Sequence, residues 1–248
     1  MQRGALWLQR KADQAMLVLF DIDGTLLKSG HVGVHAMLET FHQLHPDRRF
    51  SFDGIDIAGR LDTLIYDEMT SRHGVPADAE SHEVFRHAYS RNLHARLADR
   101  NTVIALDGVI DLVHRLAAEP GVELGLLTGN YPVTGRLKVK HAGLDPDLFT
   151  VNAFAMDGVT RRDLPPVALA RYQQRHGSAL DPARAIIIGD TPKDVDCALH
   201  NGCRVLGVAT GDFTAEQLRQ CGAHHVVDKL SPIQPVAEWL LSHRQTKR

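Results

Sequence analysis

Short apolar runs alternate with longer amphipathic stretches along most of this chain. Met16-Leu17-Val18-Leu19-Phe20 is a compact apolar run and predicts a buried strand. Similar runs predict strands at 122–127, 185–189, 204–208 and 225–227, with a short one near 149–153. Between them the apolar positions take helical spacing. Val109, Leu112, Val113 and Leu116 mark a helix over 108–119, and further helices are predicted at 133–142, 166–176, 194–201, 214–221 and 233–243. Strand alternating with helix implies a parallel sheet covered on both faces, an α/β fold. The stretch 31–105 breaks the rhythm. Val34, Met37, Leu38, Phe41 and Leu44, then Leu61, Leu64, Ile65 and Met69, then Phe85, Tyr89, Leu93 and Leu97 all recur at helical spacing, with no strand alternation. It reads as a helical insertion. No internal repeat is evident.

Three of the predicted strands run into unusual chemistry. Asp21-Ile22-Asp23-Gly24-Thr25 follows the first. Two carboxylates this close repel one another, and the end of a buried strand desolvates them. A divalent cation with a phosphoryl group would repay that cost. Gly24 permits a tight turn and Thr25 can bond back into it. Thr128-Gly129-Asn130 ends the strand over 122–127, where a hydroxyl and free backbone amides suit phosphate oxygens. Gly189-Asp190-Thr191-Pro192-Lys193-Asp194 ends the strand over 185–189. Pro192 suits the first turn of a helix, and two carboxylates there could complete an oxygen set for Mg²⁺. In open parallel sheets the carboxyl ends of strands are where ligands bind.

In this order, Asp-x-Asp-Gly-Thr, Thr-Gly-Asn and Gly-Asp-Thr-Pro-x-Asp resemble the signatures of the haloacid-dehalogenase superfamily, in its phosphoglycolate phosphatase-like and β-phosphoglucomutase-like branch. The resemblance covers Met16 to about Leu240. It implies a Rossmann-like three-layer core made of 16–30 and 106–248, an inserted helical cap at 31–105, and an N-terminal extension at 1–15. It also implies roles. Asp21 would be the nucleophile that forms an aspartyl-phosphate, and Asp23 the general acid and then base. Asp21, Asp190 and the Asp23 carbonyl would hold Mg²⁺, with Asp194 a further ligand or an orienter. Thr128, Gly129 and Asn130 would contact the phosphoryl group. The family also uses a Lys or Arg against that group. Its usual Lys-Pro-x-Pro form is absent here, and the cation is either Arg161 or Arg162, which precede Leu164-Pro165-Pro166, or Lys138.

Arg60, in Gly59-Arg60-Leu61-Asp62, sits where related caps approach the substrate and could meet a second anion; alternatively it is a helix-terminal surface residue with Asp62 as a cap. If Arg60 reads the substrate, its loss should spare a generic aryl phosphate. The second carboxylate, Asp23, favours phosphate esters over haloacids. The stretch 31–105 has no Lys, which leaves a Schiff-base phosphonate route unsupported. The resulting expectation is a Mg²⁺-dependent phosphatase of a small phosphorylated metabolite. A phosphosugar mutase and a catalytically idle interaction protein on the same scaffold are the alternatives.

Composition changes little in this picture. A chain of 248 residues with net charge −2 carries no basic block, so no nucleic-acid footprint is visible. No apolar run is long enough to span a bilayer, and Met1–Trp7 lacks the character of a signal peptide. Cys197, Cys203 and Cys221 are odd in number and without zinc spacing, which points to a reducing, cytoplasmic setting.

Overall fold

The computed structural model describes residues 15–99 and 103–244; the expected extension at 1–15, apart from Ala15, and residues 100–102 of the expected cap lie outside them. In chain order the strands are β1 (Met16–Phe20), β2 (Leu27–Lys28), β3 (Ile104–Ala105), β4 (Val122–Leu126), β5 (Ala185–Gly189), β6 (Arg204–Val208) and β7 (His225–Val227). The helices are α1 (Val32–Leu44), α2 (Asp62–His73), α3 (Ala79–Asp99), α4 (Val109–Ala117), α5 (Pro132–His141), α6 (Leu164–His176), α7 (Pro192–His200), α8 (Ala215–Gln220) and α9 (Ile233–Ser242).

Five strands form one parallel sheet in the order β4-β1-β5-β6-β7. All five β1 residues are buried, as a central strand covered on both faces requires. The register decides where the chemistry lands. Phe20 pairs with Leu126 on one side and Ile188 on the other. Asp21 N then donates to Ile188 O at 2.9 Å, and Leu127 N to Phe20 O at 2.8 Å. Three strands therefore end at the same level, and Asp21, Thr128 and Asp190 emerge together.

The stretch near 149–153 is not a strand. It runs beside β4, with Thr150 N on Leu124 O and Ala153 N on Leu126 O, but only one bridge forms, Leu127 to Ala153. The Asn152 side chain takes Leu126 N at 2.9 Å, so a side-chain oxygen interrupts the backbone ladder. A second departure is the antiparallel ribbon of β2 with β3, at the two crossings into and out of the helical insertion. Two residues a side carry no readable period.

Helices α1, α2 and α3 share an aromatic core. Phe41 stacks on Tyr66 at 5.9 Å, and Phe85 meets both, at 4.6 and 4.8 Å. No strand of the insertion joins the main sheet among the described residues. No described helix is long and apolar enough to cross a membrane.

Candidate active site

The Asp21 carboxylate sits at the end of β1 and is 4% exposed. Gly24, with φ +82°, turns the chain back immediately after the second carboxylate. A side chain there would overlap the Asp190 carboxylate, and so would one at Gly211 beyond β6. Both glycines leave Asp190 room at the sheet edge, where Thr25 Oγ1 donates to it at 3.1 Å. Asp21, Asp190 and Asp194 are all buried, and each offers an oxygen within 4.8 Å of the others.

Asp194 is held from two sides. One oxygen accepts from Thr191 N at 3.0 Å and Thr191 Oγ1 at 2.7 Å, the box that starts α7. The other accepts from Arg161 Nη2 at 2.5 Å. It is thus hydrogen-bonded through both oxygens while lying within the same carboxylate group. Arg161 lies in a short turn before α6, and its Nη2 also reaches Asp21 Oδ1 at 3.1 Å. Arg161 Nε is buried with no partner, one unspent donor on a guanidinium that lines the cavity.

The structure divides the cations that the sequence left in competition. Arg161 meets Asp21. Lys138, on α5 and 4% exposed, meets Asp23 instead, at 2.7 Å, and donates to Asn130 Oδ1 at 2.7 Å. Arg162 faces outward, half-exposed, and forms a bidentate pair with Asp196 on α7, so it is not brought to the site. Asp23 accepts further bonds from Ser29 Oγ at 2.6 Å and Asn130 Nδ2 at 2.9 Å. Asn130 also donates to Thr128 Oγ1, at 2.9 Å from Nδ2 and 3.3 Å from N. With Thr128 accepting these, its own hydroxyl proton remains to be donated. Gly129 lines the cavity beside it.

Electrostatics follow burial. Desolvation pushes Asp21 up to about 6, against Arg161 and with Asp194 and Asp23. Asp190 goes to about 8 through burial and repulsion from Asp21 and Asp194. Burial also works against an ionised Asp23, but Lys138, Ser29 and Asn130 prevail and hold it below the usual carboxylate range. Burial disfavours the Arg161 charge, yet Asp194 and Asp21 outweigh it and keep the guanidinium protonated. Hard oxygen donors crowded against their own repulsion fit a cation of the Mg²⁺ type.

The helical insertion touches this edge through α2. Asp62 does not cap that helix, whose N-cap is Leu61. Its carboxylate accepts from Tyr131 N at 3.0 Å, and its backbone N donates to Gly129 O at 2.7 Å. Tyr131 OH bonds back to Asp62 O, and to His82 of α3 at 2.8 Å. Nothing local marks this contact, because Tyr131 stands far away in sequence. Burial lifts Asp62 to about 7, with Lys138 and Tyr131 N lowering it and Asp23 raising it. The folded state then binds more protons here than the unfolded state between pH 4 and 7, so stability falls as pH rises through that window. Asp62→Asn should remove that fall, and the variant should gain about 1–3 kcal/mol relative to the parent between pH 5 and pH 8 in urea unfolding. Parallel curves for the two proteins would refute it.

Arg60 lines the cavity, but its guanidinium is engaged. It pairs with Glu68 and donates to Asp56 O at 3.3 Å and Leu64 O at 3.4 Å. The structure thus favours a role in holding α2. Arg60→Ala is expected to lower kcat/KM for mono- and bis-phosphorylated substrates by factors that agree within about threefold. A selective loss on the doubly charged substrate would restore the anion-reading role.

Known proteins resemble this chain over most of its length. The haloacid dehalogenase-like hydrolase family matches residues 18–199. The chain is 26% identical over 216 residues to pyrophosphatase PpaX of Listeria innocua, covering 87% of this chain and 93% of the relative. It is 26% identical over 218 residues to PpaX of Bacillus velezensis, covering 87% and 93%. Among solved structures it is similar to CbbY from Rhodobacter sphaeroides in complex with phosphate, with TM-score 0.67, 20% identity and coverage of 89% and 96%. A hydrolase from Pseudomonas syringae aligns with TM-score 0.67, 21% identity and coverage of 91% and 99%.

Proposed function

The chain belongs to the haloacid dehalogenase-like hydrolase family, and we propose that it is a Mg²⁺-dependent phosphatase of a small phosphorylated metabolite, working through an aspartyl-phosphate. The observation that carries this reading is the group of Asp21, Asp190 and Asp194 with Arg161, buried together where adjacent parallel strands end. Relatives named as pyrophosphatases and a phosphate-bound neighbour support it.

Asp21, Asp190 and the Asp23 carbonyl would hold the cation, with Asp194 positioning Arg161. When bound, it neutralises charge between an anionic ester and an anionic nucleophile. Asp21 attacks phosphorus. An Oδ–P bond forms and the bond from phosphorus to the leaving oxygen breaks. Asp23, ionised in the free site, takes up a proton as the anionic ester binds beside it and gives that proton to the leaving oxygen. It then takes one from the water that attacks the phospho-aspartate and frees Asp21 and phosphate. Lys138 and Asn130 hold Asp23 in place for both steps. Arg161, the Thr128 hydroxyl and the amide of Gly129 donate to the phosphoryl oxygens, where charge spreads in the transition state. The stretch 31–105, resting on Gly129 and Tyr131, acts as a cap that closes to exclude bulk water and opens to release product.

The test is phosphate release from a panel of phosphorylated metabolites across Mg²⁺ concentrations. Release should rise with Mg²⁺ and vanish on exhaustive chelation. Activity that survives chelation would remove the metal. Isomerisation of a hexose phosphate without net phosphate would favour a mutase.

A further inference from the structure

The carboxylate end of the cavity continues, without a break, into a chamber under the helical insertion. The whole space is about 390 Å³. Its far lining includes Val34 and Met37 of α1, Phe52 and Ile57 of the following loop, Ile65 of α2 and Tyr89 of α3. Met37, Ile65 and Tyr89 are buried; Val34, Phe52 and Ile57 are half-buried.

The cations that line the cavity are largely spent. Arg161 is bound to Asp21 and Asp194, Lys138 to Asp23 and Asn130, and Arg60 to Glu68. Lys28 and His31 also line it, but both are exposed. Asp62 and Asp212 add further carboxyl groups to the lining. A leaving group that is itself a phosphate needs charge-assisted donors around it. Here it would meet apolar side chains and like charge. An uncharged carbon body would instead exchange water for apolar contact.

Resting on the phosphatase reading above, we propose that the substrate is an organic phosphomonoester whose leaving group is an uncharged, largely apolar body seated among Val34, Met37, Phe52, Ile57, Ile65 and Tyr89, and that pyrophosphate and bisphosphates are poor substrates. The relatives named as pyrophosphatases are 26% identical over 87% of this chain, and the proposed preference differs from the activity they are named for.

A series of n-alkyl phosphates from ethyl to butyl isolates the contact, because the leaving oxygen keeps nearly the same basicity while apolar length grows. With Mg²⁺ present, kcat/KM should climb about two- to fourfold per added methylene. Pyrophosphate should lie at least about tenfold below butyl phosphate. Val34→Ser and Phe52→Ser should each flatten the series, with butyl phosphate losing more than ethyl phosphate. A flat series in the parent protein, a preference for pyrophosphate, or equal losses across the series in both variants overturns the apolar subsite. The phosphatase reading survives those outcomes provided that phosphate release from a generic aryl phosphate still depends on Asp21. No release from any of these esters overturns both.

Discussion

Asp21→Asn is expected to lower turnover by at least about three orders of magnitude, roughly 4 kcal/mol of barrier. The substitution keeps the shape of the side chain and removes its nucleophilic charge. The setting makes the test clean. Asp21 is buried beside Asp194 and Asp23, and burial pushes it up to about 6, so its ionised form is strained in the folded protein. Asparagine relieves that strain. The variant should therefore stay folded, with a urea midpoint at pH 8 no lower than that of the parent. A folded variant with near-normal turnover would take Asp21 out of the nucleophile role. A variant that fails to fold would contradict the electrostatic reading of the site.

Asp23→Asn is expected to cost about two to four orders of magnitude in turnover, because one group serves first as acid and then as base. With a well-activated leaving group the first step needs little protonation and should suffer less. The phospho-enzyme should then accumulate and be trapped by rapid acid quench. The structure adds a stability arm. Lys138 is almost fully buried and takes its charge partner from Asp23. Removing that partner leaves the buried ammonium with only Asn130 Oδ1 and the more distant Asp62 against it, at a cost of about 1–3 kcal/mol. Asp23→Asn combined with Lys138→Met should regain most of that stability and none of the rate. An equal defect for good and poor leaving groups, with no trapped phospho-enzyme, would falsify the acid–base assignment. Rescue of the rate by the double change would do the same.

How far the sequence could be read differs from residue to residue. The bounds of β1, β5, β6 and β7 agree with their apolar runs; β1 and β5 are buried at every position, as a central parallel strand requires, while Arg204 of β6 and all of β7 are half-buried toward the sheet edge. The 149–153 segment failed the same logic, since apolar side chains can be buried there while Asn152 supplies the bond a strand would have made. Asp21, Asp23, Thr128 and Asp190 could be picked out because a carboxylate or hydroxyl at the end of a buried strand is costly and therefore informative; Asp194, inside the first turn of α7, was picked out by its spacing from Asp190. The three cations were not separable. Arg161 and Arg162 are neighbours of the same kind, and a cation's partner lies on another element.

What the sequence alone determined is the α/β order, the helices within 32–99 and the edge of the sheet at which chemistry gathers. These are local properties, carried by the period of apolar residues and by costly polar groups at strand ends. The tertiary structure alone decided which guanidinium turns inward. It put Arg161 on Asp21 and Asp194, Lys138 on Asp23, Arg162 out against Asp196 and Arg60 against Glu68. It also set Asp62 on the Tyr131 amide and gathered Val34, Met37, Phe52, Ile57, Ile65 and Tyr89 along the cavity that the carboxylates share. Each of these depends on pairing between segments tens of residues apart, and a charge is directed by the burial and partners it finds there rather than by its neighbours along the chain.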